Sequence, residues 1–278
     1  MTAAAPHAGH RTRRELVDLP STPRVTLRQK LSRAESWGVR IATIVVFAVV
    51  WEVGARWTDS LLMPTFLEAM AALWEIAFVT GEMWPALARS NVALLIGYPV
   101  AVLIAVPLGL AMARWKSVDR AFGPITAVSL SLPIAPLIPV VLVAMGLGLT
   151  PRVFIIVLFS WVFITTNVRA GVRAVDHTLV EMAGSYGASE SQLWRRVLIP
   201  GAFPAIMTGL RTGLGRAFAG MIIVELIMLP IGIGSLMLDY RGFFQADKLY
   251  ALTIAVAVEG IVLALVMQAF ERRAQRWK

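Results

Sequence analysis

The chain has 278 residues; 58% are apolar, 15% are charged and none is cysteine. A soluble globule keeps about a quarter of its residues charged, so this composition excludes a water-soluble domain and specifies an integral membrane protein. Without cysteine there are no disulfides, iron–sulfur sites or thiolate nucleophiles, and His7, His10 and His177 are too scattered for a metal centre, so no metal and no cofactor is expected.

Residues 1–37 hold no apolar run and are rich in Arg, Ser, Thr, Ala and Pro. They read as a disordered basic tail, not as a cleaved signal peptide. The membrane domain is expected over 38–275. A helix needs about 20 apolar residues to cross the hydrocarbon. The first span is expected at about 39–57, with Glu52 near one end. The segment 64–80 carries Glu68 and Glu75, seven apart and so on one helical face. It reads as an amphipathic helix on the membrane surface. The second span, 90–113, is uncharged and contains Pro99 and Pro107. The third lies between Arg120 and Arg152 and is broken by Pro133, Pro136 and Pro139. The fourth covers about 153–174, the fifth 205–229 and the sixth 249–270. The expected fold is all-α with six membrane-crossing helices.

Lysine and arginine alternate between rich and poor loops. The tail through Arg40 holds eight, the stretch from Trp57 to Ala88 none, and the next loop Arg114, Lys116 and Arg120. Arg152 then stands alone, followed by Arg169, Arg173, Arg195 and Arg196, then Arg241 and Lys248, and last Arg272, Arg273, Arg276 and Lys278. Loops rich in these residues stay in the cytoplasm, which places both termini and the 169–200 segment there. The same rule accounts for the net charge of +9, so no nucleic-acid partner is inferred. Trp51, Trp57, Trp115 and Trp277 fit interfacial belts.

The segment between spans four and five is the most informative. Asp176 is a candidate N-cap for a short helix carrying Glu181 and Ala183, which Gly187 can end in the left-handed conformation. Ser189 then caps a second helix, and Gln192 completes a capping box. Pro200 and Pro204 mark the start of span five. A tight helix–turn–helix is preshaped, so docking it in a partner's groove costs little ordering entropy.

This segment resembles the coupling motif of bacterial ABC importer permeases: Glu-Ala-Ala, a glycine, then a hydrophobic-Leu-Pro. Here it reads Glu181-Met182-Ala183, Gly187 and Leu198-Ile199-Pro200. MPTFLEAMAALWEI from Met63, SLPIAPLIPV from Ser131, the Gly187-Ala188-Ser189 turn and GLRTGLGRAF from Gly209 look like the nitrate/sulfonate/taurine subfamily. The likeness covers roughly residues 40–275. Met182, Ile199 and His177 depart from the usual pattern. The resemblance implies a type I importer permease in the bacterial inner membrane, carrying a small solute such as a sulfonate or nitrate. It implies a second permease copy, a homodimer, with a cytoplasmic ABC ATPase dimer and an extracytoplasmic substrate-binding protein as partners, besides membrane lipid. Glu181, Met182, Ala183, Gly184, Gly187 and Ala188 would then form the ATPase-docking knob. No G-x-x-x-x-G-K-[ST] occurs, so the chain is not expected to be an enzyme and ATP hydrolysis belongs to a separate subunit.

Pro133, Pro136 and Pro139 free backbone carbonyls, as in helices that line transporter cavities. Ala205, Gly209, Gly213 and Ala217 form a small-residue ridge that suits a pathway or dimer face and ordinary packing equally. A similar row, Ala101, Ala105, Gly109 and Ala113, reads as packing. Glu225 must face protein or water, and gating or substrate contact competes with a structural hydrogen bond; Pro133, Pro136, Pro139, Gly209, Gly213 and Glu225 are the residues expected along the translocation pathway. Glu259 favours the structural role. Arg211 and Arg216 read as snorkelling or pairing with acids rather than as attracting an anion. The rival to an importer is a stand-alone secondary transporter or channel, which would show repeated halves or ion-relay charges. A membrane enzyme would need a motif such as H-E-x-x-H or G-x-S-x-G, and neither occurs.

Overall fold

The computed structural model describes residues 33–58, 60–227 and 231–274. Of the tail expected over 1–37, residues 1–32 lie outside the described residues and 33–37 begin a helix. Every regular element among the described residues is helical. They fall into two units that divide between Val50 and Trp51. Helix α1 (Arg33–Thr58) supplies the helix of the first unit and runs on into the second.

In the second unit, Trp51 and Glu52 fasten the end of α1 to the next segment. The Trp51 indole donates to the Pro64 carbonyl (3.0 Å), and Glu52 accepts from the Leu67 amide (3.2 Å) while pairing with Arg56 (2.6 Å). Thr65 and Glu68 form a reciprocal capping box that starts α2 (Phe66–Trp74). A π-helical turn, Glu75–Val79, follows. Ala72, Ile76 and Ala77 are buried against Ala251 and Leu252. The expected helix is therefore present, with one apolar side packed on protein while Leu67, Trp74, Phe78 and Val79 remain exposed.

Helix α3 (Met83–Arg114) is longer than its apolar run and keeps Pro99 and Pro107 inside. Trp115 leads into α4 (Lys116–Ser131). The third expected span does not form one helix. Pro133 disfavours the helical conformation in the residue before it, and Leu132 is extended (ψ 125°). Pro136 caps α5 (Leu137–Met145), and Pro139 sits in its first turn, where a missing N–H costs nothing. Nine residues reach only about 13 Å, too short to cross.

Helices α6 (Leu149–Arg173) and α9 (Ile199–Ile227) are joined by two short helices, α7 (His177–Ser185) and α8 (Glu190–Leu193), and a π-helical turn, Trp194–Leu198. The chain closes with α10 (Ile233–Gly242) and α11 (Ala246–Ala274). Among the described residues, four helical stretches are long and apolar enough to cross a membrane: Gly38–Thr58, Met83–Arg114, Leu149–Arg173 and Ala246–Arg273. Helix α9 is long enough, at about 43 Å, but carries Arg211, Arg216 and Glu225. In place of six uniform spans the described residues hold four such helices, one charged long helix and a broken pair.

The core is α6 with α3 on one side and α9 on the other. A Cβ on Gly97 would lie 2.8 Å from Ile156, and one on Gly109 would lie 2.8 Å from the Thr165 carbonyl. On α9, a Cβ on Gly209 would lie 2.8 Å from the Asn167 Cβ, and one on Gly213 would lie 2.4 Å from Ile164. Both small-residue rows face α6, which lets three backbones approach closely. We expect Gly213→Leu to destabilise the bundle by about 1–3 kcal/mol through overpacking. Gly215→Ala, where a Cβ meets nothing within 4 Å, should leave the thermal unfolding midpoint in detergent unchanged or slightly raised.

Candidate functional site: a projecting helical turn and a buried ion pair

The segment 176–198 is shaped almost entirely by its own short-range bonds. Asp176 caps α7 by accepting the Thr178 amide (2.9 Å), and that bond holds its carboxyl below the ordinary aspartate value. His177 and Glu181 lie one turn apart, 2.9 Å between Nδ1 and Oε1. At the far end the Gly187 amide donates to Gly184 (2.9 Å) and the Ala188 amide to Ala183 (3.0 Å), with Gly187 at φ +72°. This pair of bonds is the Schellman ending, which needs a residue at ease with positive φ. Ser189 and Gln192 then exchange capping-box bonds of 2.9 and 3.4 Å.

Two links attach this unit to the bundle. The Arg114 guanidinium at the end of α3 grips both carboxylate oxygens of Glu190 on α8. Leu193, Trp194 and Leu198 pack with Val172, Val175 and Val180. The outer surface is left uncovered. No residue of α7 is buried, and Leu179, Met182 and Tyr186 are exposed, Tyr186 by 87%. Asp119 braces the neighbouring helix ends: it pairs with Arg169 (2.7 Å) and Arg173 (2.8 Å), and Arg173 also donates to the Met112 carbonyl (3.4 Å). The bond from Arg173 and the charge of Arg169 pull the Asp119 carboxyl below its ordinary value, against the effect of burial.

At the opposite end of α6 lies a polar knot. Arg152 pairs with Glu225, whose side chain is 0% exposed against 5% for the arginine. Arg152 also donates to the Arg89 carbonyl (3.2 Å). The other Glu225 oxygen accepts from the Ser90 hydroxyl (2.6 Å) and the Gly234 amide (3.3 Å), while Ser90 accepts from the Ile233 amide (3.0 Å). Four helices, α3, α6, α9 and α10, meet there. Gly232 and Gly234 are required by contact: a Cβ on either would lie 2.2 Å from Ser90 Oγ or 2.5 Å from Glu225 Cβ.

The structure thus gathers Glu181, Met182, Ala183, Gly184, Gly187 and Ala188 into one projecting turn, where a Cβ on Gly184 or Gly187 meets nothing within 4 Å. It does not gather Pro133, Pro136, Pro139, Gly209, Gly213 and Glu225 around one cavity. The prolines shape the α4–α5 break, the two glycines are buried against α6, and Glu225 is in the knot. Asn91 on α3 donates to Glu259 on α11, and Arg211 pairs with Glu271 (3.5 Å). Sequence reading missed Arg152 as a site residue. It counted only as a loop charge, and its partner lies 73 positions away.

Residues 105–276 match the family of binding-protein-dependent transport system inner membrane components. This chain belongs to that family. Like its other members it is an ABC importer permease, and it shares 31% identity over 264 residues with the taurine transport system permease protein TauC of Escherichia coli K12, covering 91% of this chain and 94% of that one. The putative aliphatic sulfonates transport permease protein SsuC of the same organism is also 31% identical, over 253 residues, covering 90% and 94%. The fold matches the inward-facing MetNI methionine ABC transporter at TM-score 0.56 and 18% identity, over 69% of this chain and 93% of that one. An amino acid ABC transporter solved with histidines matches at TM-score 0.56 and 20% identity, over 70% and 96%. The permease is thus a multi-pass membrane protein with the type I importer architecture.

Breaking the knot from one side should cost about 3–5 kcal/mol, because the remaining charge stays buried. Arg152→Met and Glu225→Met should each lower the thermal midpoint, and the double variant should regain much of the loss in a double-mutant cycle. The Asp119 contribution has the acidic sign: present above the ordinary aspartate value, lost as pH falls through the lowered folded value. Thermal midpoints measured from pH 7 downward should show that Asp119→Asn removes this acid-sensitive part.

Proposed function

We propose that this permease is the membrane subunit of an ATP-driven importer for a small sulfonate or a similar small anion. It works as a homodimer in the bacterial inner membrane with both termini cytoplasmic. An ABC ATPase dimer docks on the α7–α8 turn, and an extracytoplasmic binding protein delivers solute at the other face. The observation that carries this reading is the turn itself. Its shape is fixed by caps at both ends, yet Leu179, Met182 and Tyr186 are left uncovered. A preformed apolar surface of this kind binds at low entropic cost, and methionine adapts to its partner. A stand-alone transporter gives such a projection no task.

In this mechanism, closure of the ATPase dimer displaces α7 and α8. The Arg114–Glu190 grip carries the displacement to α3, and the Trp194–Leu198 turn carries it into α9. The pathway runs by the α4–α5 break at Pro133, Pro136 and Pro139. Gly209, Gly213 and Glu225 act from behind it, by setting how closely α9 sits on α6. The sulfonate assignment is supported by the two 31%-identical relatives.

Glu181→Arg and Gly187→Arg should each reduce co-purification of the ATPase at least tenfold while the permease keeps its own thermal midpoint within a few degrees. Unchanged association would sink the docking assignment. ATP-driven taurine uptake by wild-type complex in proteoliposomes tests the function directly, and its full persistence without ATP would overturn it.

A further inference from the structure

Helices α6 and α9 carry five arginines. Arg152 meets Glu225, Arg169 and Arg173 share Asp119, and Arg211 meets Glu271. Arg216 meets no carboxylate among the described residues. Its guanidinium instead lies over the Phe163 ring of α6, 4.4 Å from the centroid.

The position is unusual for a cation without an acid. Arg216 is 17 residues from Ile199 and 11 from Ile227, about 26 and 17 Å along the axis, so it lies inside the long helix and not at either end. Gly209, Gly213, Ala217 and Gly220 turn inward on α6. The other side of α9 exposes Thr212, Gly215 and Arg216, with Thr208 half-buried one turn before Thr212. Thr208 and Thr212 spend their hydroxyl protons on the Pro204 and Thr208 carbonyls (3.0 and 2.6 Å), which leaves the guanidinium as the group on this side that needs water or a charged partner. The Phe163 ring occupies one face of the guanidinium and restrains it from reaching for the membrane surface. The edge, with its five donors, has no acceptor among the described residues. That edge matches the oxygens of an oxyanion head group in a bidentate way that an ammonium does not.

We propose that Arg216 is the anion contact of the translocation path. Its guanidinium edge, positioned by Phe163, takes the oxyanion head of the passing solute and gives it a station along the span. The inference rests on the importer reading and adds a selectivity residue to it. The arginine expected to pair with an acid does so only at Arg211; Arg216 is left for the cargo.

The test is ATP-driven uptake of radiolabelled taurine and ethanesulfonate by full complexes in proteoliposomes. Arg216→Gln should lower maximal uptake about tenfold or more, the loss expected on deleting a charge-assisted contact to the moving solute. Arg216→Lys should fall between wild type and Arg216→Gln. Phe163→Leu should reduce uptake less than Arg216→Gln. Half-saturation, set by the binding protein, should stay within about twofold, and the thermal midpoint and dimer should be retained. Wild-type uptake by Arg216→Gln overturns the proposal. So does loss of the dimer or of thermal stability in that variant, which would assign Arg216 to a carboxylate of the second copy. A wild-type complex without ATP-driven uptake of either sulfonate overturns the substrate reading and this inference with it. A partner ATPase that fails to associate at all tells against the importer reading itself.

Discussion

Helix α6 can lie between α3 and α9 only because both neighbours turn small residues toward it. Apolar side chains gain little from leaving lipid for protein, so helices in a membrane associate through close packing and polar contacts. Gly97 and Gly109 on one side and Gly209, Gly213 and Gly220 on the other bring the backbones near enough for that packing. The Thr165 hydroxyl reaching the Ala105 carbonyl (3.2 Å) is a direct product of the approach. Both polar braces depend on it too, since the Arg152–Glu225 knot and the Asp119 cluster close opposite ends of the same three-helix core.

This arrangement divides the molecule by task. One end is locked by buried charge, a poor source of net stability but a strict constraint on geometry. The other end projects a turn whose outer residues, Leu179, Met182 and Tyr186, are exposed. Under the proposed mechanism, displacement applied to that turn meets a stiff core, so the helices would move as bodies instead of deforming.

What could be read from the sequence follows the range of the interactions. Asp176, Gly187, Ser189 and Gln192 were legible because caps and Schellman endings join residues two to five positions apart. Four of the six expected spans correspond to long apolar helices, since hydropathy over 20 residues is also local. The three prolines announced an interruption, but not that Leu132 would leave the helix and split the span. The glycine rows were visible as a spacing; that both would face α6 depended on tertiary packing. Arg152 and Glu225 had no local signal joining them. Arg211 and Arg216 looked alike in the sequence, and only the fold gave one an acid and the other an aromatic ring.

The π-helical turn at Trp194–Leu198 sets the rotational phase of everything after it. Each residue added to or removed from a continuous helix turns the downstream surface by about 100°. A one-residue deletion in that turn would swing Gly209, Gly213 and Gly220 off α6 and drive bulkier side chains into the seam. The wide turn therefore acts as a vernier between the projecting unit and the bundle. A substitution on the projection is felt locally, whereas a change in the length of this turn re-indexes an entire helix.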